Sequence, residues 1–334
     1  MERRGRHTGK RPVFSLPVSK GYTKKESRFH VIPGLTRDPL NFPDNRGLRV
    51  KPAMTVFNIL CGCVLTGAVI ASVLLSSDCE AAERALPFDV FISGSDDFTA
   101  FSDMAAALDY ARQITPSFIY HRDSCRLLWD NDMPVPQSAH AEAPVKLQLP
   151  ELPRGCEVTS LAMLLSSQGI DADKLDLAGR IKKDPTPYQI KDGKVFYGNP
   201  HTGFVGRMDS FAGPGYGVYH EPVAELLNGY MPGMALDLTG CGFNDLCYYL
   251  ALDIPVWVII NTTYAPLPQS AFITWNTALG PVQITYHEHS AVLTGYDETY
   301  VYFNDPLTGA GRANRPAFAS AWEQMGRQAV TVMP

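Results

Sequence analysis

The chain has 334 residues, 45% hydrophobic and 19% charged, with a net charge of −5. That is ample material for a core, and more chain than one average domain of about 100–200 residues. Residues 1–53 hold thirteen Lys or Arg against four Asp or Glu, a net of +9, which leaves −14 on the remainder. A body that acidic argues against nucleic acid as a partner, because phosphate binding needs a basic face.

Residues 1–53 scatter Arg, Pro and Gly without a helical or strand period and read as disordered. Met54 directly precedes the next segment, so a start there would leave them untranslated. Val56 to Leu75 carry no charge, and as a helix they would span roughly 30 Å, the thickness of a bilayer core. Residues 54–78 are therefore expected to be a transmembrane anchor or an export signal. The length of the apolar run favours an anchor, while small residues around Cys79-Glu80-Ala81 would permit cleavage. Basic residues before the segment and acidic ones after it place the rest outside the cytoplasm, membrane-anchored or secreted.

Residues 86–140 read as a small unit. Phe88 to Ile92 predicts a strand, Phe101 to Ile114 an amphipathic helix through Met104, Leu108 and Ala111, and Ser117–Tyr120 with Arg126–Trp129 a hairpin. Such a unit would pack on the domain downstream of it or occlude that domain's cleft. Pro134, Pro136 and Pro144 mark a linker.

Next comes Glu151-Leu152-Pro153-Arg154-Gly155-Cys156-Glu157-Val158, where a Pro/Gly turn delivers a cysteine onto a helix start. Val158, Leu161, Ala162, Leu164 and Leu165 give the helical period, and Gln168-Gly169 closes it. At a helix N-terminus, unpaired N–H groups favour a thiolate, which is a working nucleophile. The plainer reading is a small buried hydrophobe. Glu157 suits the helix dipole, though as a like charge it would oppose the thiolate slightly.

The stretch 198–206, Gly-Asn-Pro-His-Thr-Gly-Phe-Val-Gly, lacks the Lys-Ser/Thr of a phosphate loop and reads as turn chemistry or a cleft loop. His201 and His220 have no partner at metal-ligand spacing, so no metal and no cofactor are assigned. Cys241 and Cys247 enclose five residues, compatible with a local disulfide or with two buried thiols. Ile254 to Asn261 predicts a buried strand, with Trp275 and Tyr286 as aromatics of the same sheet.

Two further strands come after it, from His289 to Gly295 and from Tyr300 to Phe303. Paired as a hairpin, they would bring His289 and Asp305 to the same end of the sheet. His289 Nδ1–H would donate to Asp305, leaving Nε2 to take the Cys156 proton. His287 is a rival base two residues earlier, and Glu288 alternates toward solvent.

Five separated stretches now stand in order: Gln148 to Pro153 with Gly155-Cys156-Glu157-Val158; Gly198-Asn199-Pro200 with Gly203 to Gly206; Gly215 to Tyr219; His289 with Val292 to Tyr296; and Asn304-Asp305-Pro306. Together they resemble the C39-like peptidase family, relatives of the bacteriocin leader-processing C39 peptidases, over about residues 88–330. The resemblance implies a papain-like α+β fold, in which a helix carrying the nucleophile packs on an antiparallel sheet carrying His and Asp, over residues 145–334. It makes Cys156 the nucleophile, His289 the general base and Asp305 the orienting acid. Gln148 is the best match to the family's oxyanion-hole glutamine, although eight residues before Cys156 is a longer gap than the related C39 peptidases usually show. The implied activity is hydrolysis of peptide bonds through a thioester. The alternatives are a catalytically silent peptide-binding module of the same fold, or a cell-wall peptide amidase or transpeptidase.

Overall fold

The computed structural model describes residues 86–95 and 97–334. The stretches expected to be disordered (1–53) and membrane-inserted (54–78) lie outside them. No helix among the described residues is long and apolar enough to cross a membrane.

The chain begins with β1 (Phe88–Ile92), β2 (Phe98–Phe101), α1 (Met104–Ala111), β3 (Ser117–His121) and β4 (Arg126–Asp130). The strands form an antiparallel sheet in the order β2-β1-β3-β4. Phe101 ends β2 rather than opening the helix, because the Asp103 carboxylate caps α1 by accepting the Ala106 N–H at 2.8 Å. Within the stretch expected to be a linker, Ala139–His140 forms β5, whose partner is the strand that carries His289.

The following elements are α2 (Cys156–Ser167), α3 (Lys174–Arg180), β6 (Lys183–Asp184), β7 (Gln189–Lys191), β8 (Lys194–Phe196), β9 (Phe204–Val205), α4 (His220–Tyr230), β10 (Ala235–Asp237) and α5 (Phe243–Ala251). Then come β11 (Val256–Asn261), β12 (Ile273–Thr277), β13 (Gly280–Ile284), β14 (Glu288–Tyr296), β15 (Tyr300–Asp305), β16 (Gly309–Asn314), α6 (Arg315–Gln324) and β17 (Ala329–Val332). The central sheet runs β10-β17-β11-β14-β15-β16, with β5 added to β14, and its pairings are antiparallel.

Both faces of this sheet are covered. Trp257, Ile259, Val330 and Val332 pack with Val158, Leu161 and Leu165 of α2. Val258, Ile260, Ala291 and Leu293 pack with α5, α6 and the unit at residues 86–140. That unit therefore sits on the face opposite α2 and shares a core with the rest. Tyr248 Oη accepts the Asp130 N–H at 3.0 Å, Tyr249 Oη donates to Leu128 O at 3.1 Å, and Arg112 pairs with Asp245.

Trp275 lies in a second sheet, β13-β12-β8-β7, where its Nε1–H donates to Gly198 O at 3.0 Å. Tyr286 is an exposed loop residue, so the two aromatics are not partners in the central sheet. Cys241 and Cys247 are free, buried thiols rather than a disulfide. Cys247 lies inside α5, where its sulfur accepts from Arg315 Nη2 at 3.3 Å.

Candidate active site

Cys156 is the first residue of α2. Glycine is needed just before it, since a Cβ on Gly155 would lie 2.5 Å from Leu152 Cβ. The first turn is fastened to the sheet by Trp257, whose Nε1–H donates to Glu157 O at 3.0 Å. The helix closes on Gln168 with Gly169 at φ +77°, a left-handed position that suits glycine.

The β14–β15 hairpin brings His289 to Asp305, with Nε2···Oδ1 at 3.1 Å and both residues buried. Tyr264 donates its hydroxyl to the other carboxylate oxygen, and the Thr308 N–H donates to Oδ1 at 3.2 Å. Burial pushes the Asp305 carboxyl up, but the bonds from His289, Tyr264 and Leu307 hold it below the usual carboxylate range. The nitrogen facing Asp305 is Nε2, not the expected Nδ1, and among the described residues Nδ1 has no hydrogen bond. His287 is exposed in the turn ahead of β14, close to Thr262 Oγ1 at 3.3 Å, and does not share the setting of His289.

The Cys156 thiol is also buried. It donates to Glu157 Oε2 at 3.3 Å, and the N–H of Ser290 points at the sulfur. Among the described residues no hydrogen bond joins Cys156 to His289, although Ser290 directly follows that histidine. The thiol is raised well above its ordinary value, first by burial and then by the carboxylates of Glu157 and Glu288. This reverses the expected lowering: the helix dipole contributes only about 0.3–1 kcal/mol, less than burial beside two acids.

Of those two acids, the sequence reading placed Glu157 beside the thiol with only a slight effect, and it missed Glu288. Glu157 is fully buried; its Oε1 accepts the Val218 N–H at 2.7 Å, and burial holds its carboxyl up at about 7. Glu288, expected in solvent, turns its carboxyl inward and is raised well above the ordinary range by burial and then by Glu157. Its Oε1 has no hydrogen-bond partner among the described residues. The sulfur and one oxygen from each carboxyl lie within 4.8 Å of one another. Gly217 closes over them, since a Cβ there would collide with Glu157 Oε1 and stand 2.8 Å from Glu288 Oε2.

Gln148 bridges the two halves of the site. Its N–H donates to Pro306 O at 2.8 Å, and its side-chain Nε2 donates to Leu152 O at 3.1 Å and Pro153 O at 2.9 Å. Both amide hydrogens are thus engaged by the loop before Cys156, contrary to the expectation of a free oxyanion donor. The 198–206 stretch is turn chemistry around Asp184, which accepts the Asn199 N–H at 2.8 Å and the Thr202 hydroxyl at 2.9 Å.

A second cluster lies beyond Tyr219. His201 and His220, expected to lack partners, meet at Glu221: His201 Nδ1 is 2.8 Å and His220 Nε2 3.3 Å from its Oε1. Spacing along the chain could not reveal this, because the fold brings the 199–202 turn onto the start of α4.

The sequence model of the peptidase C39-like family matches residues 134–330, more than half of the chain. The chain belongs to the C39-like peptidase family. The crystal structure of a Bacillus anthracis protein assigned to the C39-like peptidases is 44% identical and superposes with a TM-score of 0.56 over 60% of this chain and 98% of that one. The uncharacterized protein YvpB of Bacillus subtilis (strain 168) is 42% identical over 188 residues, 56% of this chain and 72% of that protein. The mixed helix and antiparallel-sheet architecture is accordingly the α+β, papain-like fold of this family.

Proposed function

We propose that this C39-like protein is a cysteine peptidase in which Cys156 attacks a peptide carbonyl and His289, oriented by Asp305, carries the proton. The observation that carries the reading is the His289–Asp305–Tyr264 relay, buried at the end of β14 one residue from the N–H that faces the Cys156 sulfur. The imidazole protonates the leaving amine, the thioester forms, and water then cleaves it with His289 as base. The Cys156 N–H at the helix start is one oxyanion donor, and Gln148 becomes a second only by releasing Leu152 or Pro153. Hydrogen bonds of this kind tighten on substrate binding, so the missing Cys156–His289 bond does not oppose the assignment. The charge pattern around residues 56–75 supports a catalytic domain outside the cytoplasm, tethered to or exported across a membrane.

A peptide-binding module without catalysis is the second reading, favoured by the raised Cys156 thiol and the engaged Gln148 amide. Alkylation of Cys156 as a function of pH, in the full chain and in His289→Ala, separates the two. Catalysis requires a fast-labelling plateau reaching down to about pH 5 that His289→Ala abolishes. Slow labelling that rises only above about pH 8.5, identical in both proteins, would leave the binding module.

A further inference from the structure

We propose that His201, His220 and Glu221 form a zinc site, separate from Cys156, that fastens the 199–202 turn to the start of α4. The argument begins with hydrogen placement. His220 Nδ1 lies 2.7 Å from Asp237 Oδ2, and an ionised carboxylate can only accept, so Nδ1 carries a hydrogen. The other nitrogen, Nε2, faces Glu221 Oε1 at 3.3 Å. In a neutral imidazole that contact sets one lone pair against another, so either a second ring proton, making His220 an imidazolium between two carboxylates, or a metal cation stands between them. His201 Nδ1 faces the same carboxylate, 2.8 Å from Oε1 and 3.0 Å from Oε2.

Two ring nitrogens and one carboxylate oxygen thus converge, with the three ligand atoms all within 4.8 Å of one another. Either separate protons fill the gaps or one metal ion fills them together. A tetrahedral zinc with bonds of about 2.0–2.2 Å places its ligand atoms roughly 3.3 Å apart; the His220–Glu221 pair already stands at 3.3 Å, and His201, at 2.8 Å from Oε1, has to back away slightly to admit the ion. The carboxylate–imidazole–metal arrangement that orients a zinc-binding histidine is in place, with Asp237 behind His220. Charge also balances: one divalent cation offsets Glu221 and Asp237 with both imidazoles neutral. A cavity of about 210 Å³, bordered by both histidines and Tyr219, leaves room for a water as fourth ligand. His201 and Glu221 are partly exposed, which gives the ion a way in.

The surroundings indicate a fastening role. The Tyr219 ring packs edge-on to His201 at 4.7 Å, its N–H donates to Pro200 O at 2.9 Å, and Val218 holds Glu157. An ion that joins His201 to His220 therefore fixes the strip of chain that roofs the thiol pocket.

The test is titration of the chelator-stripped full chain with Zn²⁺ by calorimetry and with Co²⁺ by absorption, in the unmodified protein, His201→Gln, Glu221→Gln and Asp237→Asn. We expect one Zn²⁺ site whose affinity falls at least about tenfold in Asp237→Asn and further in His201→Gln. Cobalt there should give d–d bands without a thiolate charge-transfer band. Measured against each protein's own chelator-treated form, zinc should raise the melting temperature of the parent more than that of any variant. Absence of zinc binding, equal binding in parent and variants, or a cobalt spectrum dominated by thiolate ligation would overturn the proposal. None of these readouts depends on peptidase activity.

Discussion

Converting both buried acids at the thiol to amides, Glu157→Gln with Glu288→Gln, should lower the Cys156 pKa far more than Glu157→Gln alone. Glu157 Oε2 accepts the thiol hydrogen at 3.3 Å. With an effective dielectric of about 20, a carboxylate charge at that distance opposes a thiolate by about 5 kcal/mol. In the single variant the Glu288 carboxyl stays beside the sulfur and still opposes the thiolate. Its nearest oxygen lies within 4.8 Å of the sulfur. A charge at that limit restores about 3.5 kcal/mol of opposition. The single variant therefore lowers the thiol pKa only in part, and the double variant, which removes both opposing groups, lowers it further. The amide that replaces the Glu157 carboxylate can still accept the Val218 N–H, so the local fold is retained. The assay is the iodoacetamide rate between pH 4 and 10, read by mass spectrometry on the peptide containing Cys156, which separates it from the exposed Cys125. A double variant whose profile stays within about half a unit of the parent, or a single variant that shifts as far as the double, would refute the electrostatic reasoning.

Asp305 has a folded-state pKa below its unfolded value of 3.8, so its stabilisation is fully present above about pH 4 and is lost as pH falls through the folded value. Asp305→Asn should flatten the acid side of the urea-midpoint profile, and an unchanged acid limb would contradict the assignment. Gly217→Ala should destabilise by about 1–3 kcal/mol, the range for overpacking, because both carboxylates must move; an unchanged melting temperature would count against the packing described. Gln148→Leu takes the side-chain donor from Pro153 O and leaves Leu152 O only the Gly155 N–H, which should cost about 1–3 kcal/mol in denaturant unfolding. Loss of turnover with stability unchanged would instead return Gln148 to the oxyanion role.

The Cys156 helix was legible because its apolar period and the Pro/Gly turn before it are local features. The His289–Asp305 hairpin was legible because two short β-type runs flank a Gly/Asp turn. Glu288 was not, for a physical reason: strand alternation separates inside from outside only when one face of a sheet meets water. Here α2 covers one face while α5 and α6 cover the other, so every position of β14 is at least partly enclosed. Tyr264 sits at φ +52° in the loop after β11, where no periodicity operates, and only the folded chain brings it to Asp305. The β2 strand went unread and its last residue, Phe101, was taken into the helix; the Asp103 cap sets the boundary between them. The Gln148 contacts depend on the path of the loop between it and Cys156, which composition does not specify.

Many proteases are held silent by a leading segment that is cut away, and such a segment must leave an intact enzyme behind. Residues 86–140 do not meet that condition. Trp129 packs against Tyr248 with ring centroids 6.3 Å apart, Met104 and Leu108 lie in the same core as Trp322, and β5 is hydrogen-bonded to the strand that bears His289. Excision at Pro144 would open the back of the central sheet to water and unpair part of β14. The leading unit is therefore a permanent component of the fold, and its removal would cost the central sheet both cover and a strand.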